Sequence, residues 1–381
     1  MPLTTSTDGD RLHCLVGEYA AIGHHRTGTD EDARTRAWLC DQLLDRGVAP
    51  VQVPYGFLQF TVEHHHVTID GQEVESLALW YAGDGDHDTD TVLRQVAPFV
   101  GGGIGTADLS VDANDPNSSL PAVVATTGIG GRLGVPNRAP STSPTRPVAL
   151  VPGRFAPSFA GARVTYSARL RRHRGGSANV LASFGNGPGD PVIVTTPITG
   201  WFACAGERGT GLAIALDLAE ELQGEHPVIF AGTTGHEIGY LGVEALLASG
   251  HLGRPHAIVH VGASIAAGVP RGDELGFSND RHALTTMGGE PLARLKAAVA
   301  DAAFSTARDP ASWLGEGQVL KRLSSPMLSF LGGFPLFHTS DDLPELATSP
   351  ELLVRARAGV LGGSRVLLDS LGAVPATELV G

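Results

Sequence analysis

The second half of the chain alternates short apolar runs with stretches of helical periodicity, and this alternation restricts the fold more than any other feature. From residue 178 onward the apolar runs are almost uninterrupted, as in ANVLASF, PVIVTT and HPVIFAG. Strands buried on both faces have this character, because helices cover both sides of a parallel sheet. The sequence therefore predicts an α/β fold: a mostly parallel sheet with helices on both faces.

The first half of the chain has a different pattern. Residues 1–50 contain the helical stretch EDARTRAWLCDQLLDRG, whereas 51–165 contain short β-branched runs separated by Gly, Pro, Asp and Ser. We therefore expect N-terminal helices over 1–50, a β-rich insert over 51–165, and the remainder of the α/β domain over 166–381. Within the insert, 130–147 is predicted to be a long loop that serves as a lid or a linker.

Composition and charge exclude several classes of function. The 381 residues have a formal charge of −13, and no basic block is long enough to form a nucleic-acid-binding stripe. No apolar segment approaches the ~20 residues of a membrane span, and no secretory signal is evident. The three cysteines lack metal-type spacing, so we expect reduced thiols in a cytoplasmic protein; the oligomeric state stays open. One basic cluster, predicted to be either a solvated strand surface or a phosphate contact, contains Arg169, Arg171, Arg172, His173 and Arg174.

Three polar segments follow predicted strands of the α/β region. They read CAGERGTG, TTGHEIGYLG and GGFPLFHTSDDLPE, and they carry Glu207, Glu237 and His338. Ligands bind at the carboxyl ends of strands in such sheets, and carboxylate plus imidazole suits zinc or another divalent ion. Taken alone, Glu207 is equally well explained as a carboxylate interacting with the dipole of a helix N-terminus.

The middle segment begins like a zincin motif but does not complete it. His236 and Glu237 match the start of H-E-x-x-H, yet Tyr240 stands at the second histidine position. The flanking glycines, Gly235 and Gly239, also indicate a loop instead of a helix. The zincin interpretation is therefore rejected.

The chain resembles the zinc aminopeptidase family that includes bacterial leucyl aminopeptidase and aminopeptidase Y. The stretch CAGERGTGLAIALDLAEEL is similar to the family's G-A-x-D-x-x-S-G helix start, and GTTGHEIGYLG is similar to its glutamate-glutamate-x-G turn. PLFHTSDDLPE is similar to its Y-H-T-x-x-D-T segment, and the 51–165 region resembles the protease-associated insert of many members. The resemblance covers nearly the whole chain and implies a metallopeptidase-like hydrolase.

Members of that family bind two metal ions through five ligands. The resemblance gives Glu207 the bridging position, Glu237 that of the glutamate ligand and His338 that of the late histidine. The early histidine-x-aspartate would fall in VTTPITGWF, and the later aspartate at Gly262, so both ligands private to one metal are lost. The resemblance therefore implies one divalent metal, most simply zinc, as in the related glutaminyl-peptide cyclotransferases.

A second departure from the family concerns catalysis. His236 stands where the family has its general-base glutamate, and a neutral imidazole accepts a proton near pH 7. We therefore expect His236 to be the catalytic base. The second metal ion, which lies near the substrate amine in the family, is lost. The expected substrate is therefore a small molecule or modified peptide instead of an ordinary N-terminal peptide.

Several neighbouring residues complete the predicted site. Those expected to contact the substrate are Trp201, Cys204, His260 and Ser264. Core packing is the alternative for the tryptophan, and a buried, unreactive thiol is the alternative for the cysteine. Asp341 and Asp342 are predicted either to orient His338 from behind or to cap a helix.

Four functions are compatible with these residues. The favoured one is a mononuclear metal-dependent hydrolase of an amide or related C–N bond. The second is cyclotransferase-like acyl transfer, in which an internal amine replaces water. The third is a catalytically inactive binding or scaffolding homologue, and the fourth is metal-free hydrolysis by Cys204 or a threonine together with His236.

Overall fold

The computed structural model describes residues 6–93, 109–110, 121–126, 131–137, 146–185, 189–310 and 313–372. The helices are α1 Ser6–Ala21, α2 Asp30–Asp45, α3 Thr210–Leu222, α4 Leu241–Ser249, α5 Gly289–Ala298, α6 Gly317–Leu320, α7 Pro344–Ala347 and α8 Pro350–Leu371. The strands are β1 Pro50–Ile69, β2 Gln72–Glu73, β3 Leu77–Ala78, β4 Gly85–Val92, β5 Leu109–Ser110, β6 Ala122–Thr126, β7 Val148–Pro152, β8 Arg163–Phe184, β9 Val192–Pro197, β10 Val228–Thr233, β11 Ala257–Val261, β12 Gly268–Arg271, β13 Glu274–Phe277, β14 Asp280–Thr285, β15 Ser305–Arg308 and β16 Met327–Gly333.

A ten-stranded sheet forms the centre of the molecule, in the order β15-β14-β16-β11-β9-β10-β8-β1-β2, with β4 also paired to β8. The four middle strands, β16, β11, β9 and β10, are parallel to one another. Antiparallel pairs flank this core, where β14 joins β16 and β8 joins β10. The predicted α/β class with a parallel centre is confirmed, and the antiparallel flanks make the whole sheet mixed.

Helices cover both faces of the sheet, which explains why its strands are apolar throughout. On β9, Val192 and Val194 pack with α1, α3, α5 and α8, whereas Ile193 between them packs with α4 and α6. Successive side chains of a strand point to opposite faces, so a strand covered on both sides requires an unbroken apolar run.

Two long strands connect the sheet to the β-rich insert. β1 and β8 pair antiparallel from Pro50 opposite Ala182 to Ile69 opposite Val164, with one irregularity between Val62 and His64. The predicted insert limits, 51 and 165, lie inside these two strands. The insert's own four-stranded sheet, β3-β7-β6-β5, packs around a separate core. That core also contains Trp201 and Ile238 from the α/β domain, so the two parts share buried side chains.

In the part of the chain that the structure describes, no helix combines the length and the apolar character that crossing a lipid bilayer requires.

Candidate functional site

The predicted site residues lie in loops that leave the parallel strands at their carboxyl ends. β9 leads to Glu207, β10 leads to His236 and Glu237, β11 leads to Ser264, and β16 leads to His338. Because these four strands are parallel neighbours, the loops meet at one edge of the sheet.

Left-handed backbone conformations are concentrated in these loops. Five of the ten non-glycine residues with positive φ in the described ranges lie there: Phe202, Cys204, Tyr240, Ser264 and His338. Such conformations cost about 1–3 kcal/mol each and persist where surrounding contacts over-determine them, commonly at functional sites. The loops are therefore held in fixed, strained positions.

Glu207 lies in one turn of π-helix, Ala205–Gly209, directly before α3. The carboxylate of Asp342 accepts hydrogen bonds from the backbone N–H groups of Gly206 at 2.5 Å and of Glu207 at 3.0 Å. These N–H groups are among those that a helix start leaves without an intrahelical partner. Asp342 therefore caps this helix start and contributes to the site by holding Glu207 in place.

Arg208 forms an ion pair with Glu207 at the centre of the site. One terminal nitrogen, Nη2, lies 2.6 Å from Oε1 of Glu207, and both side chains are fully buried. The contact is an ion pair, and neither Nη1 nor Nη2 has a hydrogen-bond acceptor among the described residues. The third nitrogen, Nε, donates to the carbonyl oxygen of Thr199 at 3.0 Å.

The pair keeps both partners charged despite their burial. Burial alone would raise the pKa of Glu207. The Arg208 guanidinium, and after it His338, outweigh that effect and lower the pKa to about 2. Burial lowers the pKa of Arg208, whereas the carboxylate of Glu207 and other neighbours leave it raised overall. The centre of the site therefore contains a fixed positive charge.

His338 lies against Glu207 and is held by the insert. Its Nε2 is 3.2 Å from Oε1 of Glu207, and its Nδ1 has no hydrogen-bond partner among the described residues. The N–H of Val135 donates to the carbonyl oxygen of His338 at 3.1 Å, and Gly134 forms a β-bridge with Thr339. The described part of the predicted loop 130–147 thus fixes the histidine loop; 138–145 lie outside the described residues.

Both carboxylate oxygens of Glu237 are hydrogen-bonded to threonines. Its Oε1 accepts a hydrogen bond from the N–H of Thr27 at 2.6 Å, and its Oε2 accepts one from Oγ1 of Thr199 at 2.9 Å. Burial raises the pKa of Glu237, and these hydrogen bonds partly counter that rise. The side chain therefore joins the N-terminal segment to the loop after β9.

His236 pairs with Glu316. Nδ1 of His236 lies 3.3 Å from Oε1 of Glu316, and the imidazole packs edge-on against Tyr240, with ring centroids 5.0 Å apart. His236 is 9% exposed, the largest value among the histidines and acidic residues of this cluster, whereas Glu316 is fully buried. Burial, followed by the charge of Arg208, lowers the pKa of His236 well below its usual value, so the ring is neutral.

The four predicted substrate-contact residues occupy different environments. His260 is buried, with Nδ1 2.8 Å from Oγ1 of Thr195, and burial lowers its pKa to about 4. Ser264 donates its backbone N–H to the carbonyl oxygen of Glu207, and its buried hydroxyl lacks a partner among the described residues. Cys204 is completely buried, and burial raises the pKa of its thiol.

Trp201 lies where the loop after β9 meets the insert. Its indole N–H donates to Oδ1 of Asn137 at 2.8 Å, and its ring packs against Trp80 with centroids 5.2 Å apart. Together with His24 and Arg26 it also lines a cavity of about 350 Å³ between the N-terminal segment and the insert. Asp341, the other predicted support for His338, instead pairs with Arg132 of the insert.

The residues present do not form a site that suits a divalent metal. Glu207 and His338 lie together, but Glu237 has both oxygens engaged by threonine donors, and a cationic guanidinium lies against Glu207. In the described ranges, no group of three or more His, Cys, Asp and Glu side chains is arranged to hold a metal ion. A structural or catalytic zinc needs three or four such donors.

Comparison with known proteins identifies the fold. BSAP, a zinc aminopeptidase from Bacillus subtilis, superposes with a TM-score of 0.71 at 12% identity over 94% of each chain. The zinc aminopeptidase fold is shared. A peptidase M28 precursor from Shewanella amazonensis gives a TM-score of 0.68 at 13% identity, covering 95% of this chain and 96% of that one. An aminopeptidase from Aneurinibacillus sp. strain AM-1 gives 0.58 at 15% identity over 94% of each.

Sequence comparison adds no closer relationship. No family sequence model matches the chain, and no curated protein sequence matches it. The likeness at 12–15% identity concerns the zinc aminopeptidase fold, and the chemistry of this chain has to be argued from its own residues.

Two residues of the cluster were not found from the sequence. Arg208 places a positive charge at the start of a helix, where the macrodipole disfavours cations, and this conflict is visible in ERGTGLAIAL. Glu316 is a single acid between two glycines in the apolar stretch WLGEGQVL. Both signals are local and weak, since neither reveals which distant residue the charge meets.

Proposed function

We propose that this chain is a hydrolase that cleaves an amide or related C–N bond in a small molecule or modified peptide. The observation that carries the proposal is the His236–Glu316 pair, which lies at the ligand-binding edge of the sheet with the fixed charge of Arg208 nearby. The zinc aminopeptidase fold supports the same class of reaction. Because Glu207, Glu237 and His338 are not arranged to hold a metal ion, no step of the proposed reaction depends on a metal, and the one-metal alternative is tested below.

In the proposed reaction, His236 is the general base. Its neutral imidazole removes a proton from water while the water oxygen attacks the carbonyl carbon, and Glu316 stabilises the imidazolium that forms. The tetrahedral intermediate then collapses as the C–N bond breaks, and His236 returns the proton to the leaving nitrogen. Negative charge on the former carbonyl oxygen develops near a buried cation, where electrostatic stabilisation is strongest.

A covalent mechanism through Cys204 is less well supported. A nucleophilic cysteine needs thiolate character and access to the substrate. Cys204 is fully buried, and burial raises the pKa of its thiol. The sulfur also lies against the carbonyl oxygen of Trp201 and 4.0 Å from a carboxylate oxygen of Glu207, a neighbourhood that disfavours the thiolate.

The proposal is tested with a panel of N-acyl amino acids, aminoacyl amides and peptides with an N-terminal glutamine. Mass spectrometry of the products separates addition of water from attack by an internal amine. We expect hydrolysis of at least one class, with kcat lowered about 100-fold or more in His236→Gln, because removal of a general base costs about 10²–10⁴-fold. Glu316→Gln should also lower kcat, because the imidazolium then loses its carboxylate partner.

Cys204→Ala is the matched control and should retain turnover, since its thiol has no role in the proposed reaction. Full activity of His236→Gln would refute the assignment of the base. Loss of activity in Cys204→Ala, with the fold intact, would favour the covalent mechanism.

A binding protein without catalytic activity is the second candidate. The observation that favours it is the complete burial of the central Glu207–Arg208 pair. Absence of turnover across the panel, together with a saturable rise in unfolding temperature on adding one of the same compounds, would identify the chain as a binding protein.

A further inference from the structure

We propose that the guanidinium of Arg208 is a built-in cation that takes the place of a metal ion in this fold, so that the chain works without metal. The catalytic part of this inference rests on the proposed hydrolase function. The statement about metal rests only on the position and surroundings of Arg208, and it is tested separately.

The position of the Arg208 side chain supports this role. Nε of Arg208 donates to the carbonyl oxygen of Thr199, and a Cβ placed on Gly200 would lie 3.4–3.5 Å from the Arg208 side chain. The stretch VTTPITGWF is where the family resemblance puts the lost early ligands. The guanidinium thus lies over the segment that no longer supplies metal donors.

The other lost ligand position is closed as well. The later aspartate of the family corresponds to Gly262, where a Cβ would lie 2.9 Å from the carbonyl oxygen of Phe330 and 3.1 Å from Nε2 of His260. An aspartate side chain therefore does not fit there unless both the Phe330 backbone and His260 move. With Arg208 on one side and His260 on the other, both positions of the missing donors are filled.

The charge balance around Arg208 also supports this role. Arg208 lies in the first turns of the helix that continues as α3, where the macrodipole repels a cation. The side chain is fully buried, and burying an unpaired charge is costly. Glu207, at 2.6 Å, provides the compensating charge, which is what a carboxylate ligand does for a metal ion.

The hydrogen bonding of Arg208 differs from that of most buried polar groups. Buried polar groups in native proteins almost always have partners, so exceptions require a reason. Arg281, also fully buried, directs Nη1 and Nη2 at the carbonyl oxygens of Ala302 and Ile265. Arg208 has no acceptor for either of these nitrogens among the described residues. A buried guanidinium whose Nη1 has no acceptor within the described ranges, and whose Nη2 meets Glu207 only as an ion pair, is arranged to receive an oxygen atom.

The oxygen that this arrangement fits is the carbonyl oxygen of the substrate amide. Donors beside a fixed positive charge polarise the carbonyl and stabilise the oxyanion of the tetrahedral intermediate. A metal ion performs the same task as a Lewis acid. His338 then supports Glu207 through Nε2 instead of binding a metal ion.

The direct test measures metal in the full-length protein. Protein purified without chelator should contain less than about 0.1 zinc per chain, and added zinc should leave the unfolding temperature unchanged, because an ion that binds the native state would raise it. Hydrolysis, where detected, should survive dialysis against EDTA. About one zinc per chain after dialysis against micromolar zinc would overturn the inference.

The second test asks whether the positive charge is what matters. We expect Arg208→Ala to lose activity about 100-fold or more, as when an oxyanion donor is removed. Millimolar guanidinium should restore at least about a tenth of the lost activity, whereas urea, which has the same shape without the charge, should not. Because Arg208→Ala itself is at risk of misfolding, Arg208→Lys is measured in parallel and should keep the fold while lowering kcat.

Arg281→Ala is the matched control, since its buried guanidinium contacts backbone carbonyls and the rings of Phe277 and Phe304 and no carboxylate of the described residues, and added guanidinium should not change the kcat of this variant. Equal rescue of Arg208→Ala by urea would contradict a role for the positive charge. Wild-type kcat in Arg208→Lys would contradict a role for the paired nitrogens of the guanidinium. The two proposals also fail separately. Stoichiometric zinc would refute the proposal of a built-in cation without refuting the hydrolase. A metal-free protein with no turnover would refute the proposed hydrolase function.

Discussion

The molecule contains two sets of arginine–carboxylate pairs in opposite surroundings. On the insert, Arg163, Arg169 and Arg171 of β8 pair across the sheet with Asp90, Asp88 and Asp86 of β4, in water. At the sheet edge, Glu207 and Arg208 form one pair whose side chains have no exposed surface.

The same chemistry has different consequences in the two places. Exposed pairs are screened by water and add little to stability, so the acidic side chains mainly keep the edge strand soluble and in register. The attraction within a buried pair does not offset the desolvation of its charges unless the surroundings add further interactions. Removing one partner leaves the other charge buried and unpaired. The surface pairs are therefore replaceable, whereas the buried pair indicates a site under functional constraint.

Breaking the buried pair should have the largest effect. Arg208→Met keeps the unbranched apolar stem of the side chain but leaves the Glu207 carboxylate buried without its cation, so we expect a loss of about 3–5 kcal/mol in the free energy of unfolding. Adding Glu207→Gln to the same variant should recover part of that loss. Urea unfolding of the single and double variants measures the loss and the recovery in the free energy of unfolding. A loss below about 1 kcal/mol in Arg208→Met would show that the buried pair stabilises the protein no more than the surface pairs do.

Removing the carboxylate that supports Glu207 should come next. Asp342→Ala leaves the N–H groups of Gly206 and Glu207 buried without acceptors, at a cost of about 1–3 kcal/mol. The neighbouring Asp341→Ala is the control, because Asp341 is partly exposed and pairs with Arg132 on the surface. Equal destabilisation by the two variants would show that the cap is not specific to Asp342.

The buried region should also dominate the response to acid. Burial, followed by the charges of His24 and Arg34, lowers the pKa of His25 to about 3, against 6.5 when unfolded, although the backbone of Tyr19 partly opposes this. The unfolded state therefore binds the proton first, so this contribution is complete above pH 6.5 and is lost as the pH falls from 6.5 toward 3. Between pH 7 and 5 the loss is roughly 1–2 kcal/mol.

His25→Phe preserves the ring that stacks on Tyr19, with centroids 3.8 Å apart, and removes the titrating group. The free energy of unfolding of this variant, measured at pH 7 and pH 5, should fall less than that of the wild type. If the free energy of unfolding falls between pH 7 and pH 5 by the same amount in the variant and the wild type, His25 is not the source of the pH dependence.

The smallest effect is expected for the surface pairs. Arg169→Ala removes the contact with Asp88, whose pKa is lowered mainly by its hydrogen bond to Arg169. Because both groups are hydrated, the unfolding temperature should not change measurably, and 0.5 M NaCl should not distinguish the variant from the wild type. A clear fall in the unfolding temperature would show that the surface pairs contribute measurably to stability, contrary to the expectation for hydrated ion pairs.

Much of the architecture was predictable from the sequence, because burial on two faces leaves a direct mark on strand composition. Runs such as PVIVTT and HPVIFAG correctly indicated parallel strands under helices, and the polar segments after them indicated the edge where the loops meet. The basic cluster at 169–174 forms ion pairs and backbone contacts on the insert strands, in line with the solvated-surface alternative.

The arrangement inside the site was less predictable, because it depends on which way side chains turn in loops. The sequence indicated that Glu207, Glu237 and His338 come to one edge, but not that Glu237 turns toward Thr27 and Thr199. It also gave no reason to connect His236 with Glu316, eighty positions away. Contacts of this kind require the three-dimensional course of the loops.

The most direct test of the built-in cation is a crystal structure of the wild-type protein grown with zinc, with anomalous data collected at the zinc edge. We predict ordered density for the Arg208 guanidinium beside Glu207, Glu237 bound to Thr27 and Thr199, and no anomalous peak within 3 Å of His338, a distance longer than any Zn–N bond of about 2.0–2.1 Å. An anomalous peak coordinated by Glu207, Glu237 and His338, with Arg208 displaced, would contradict the account.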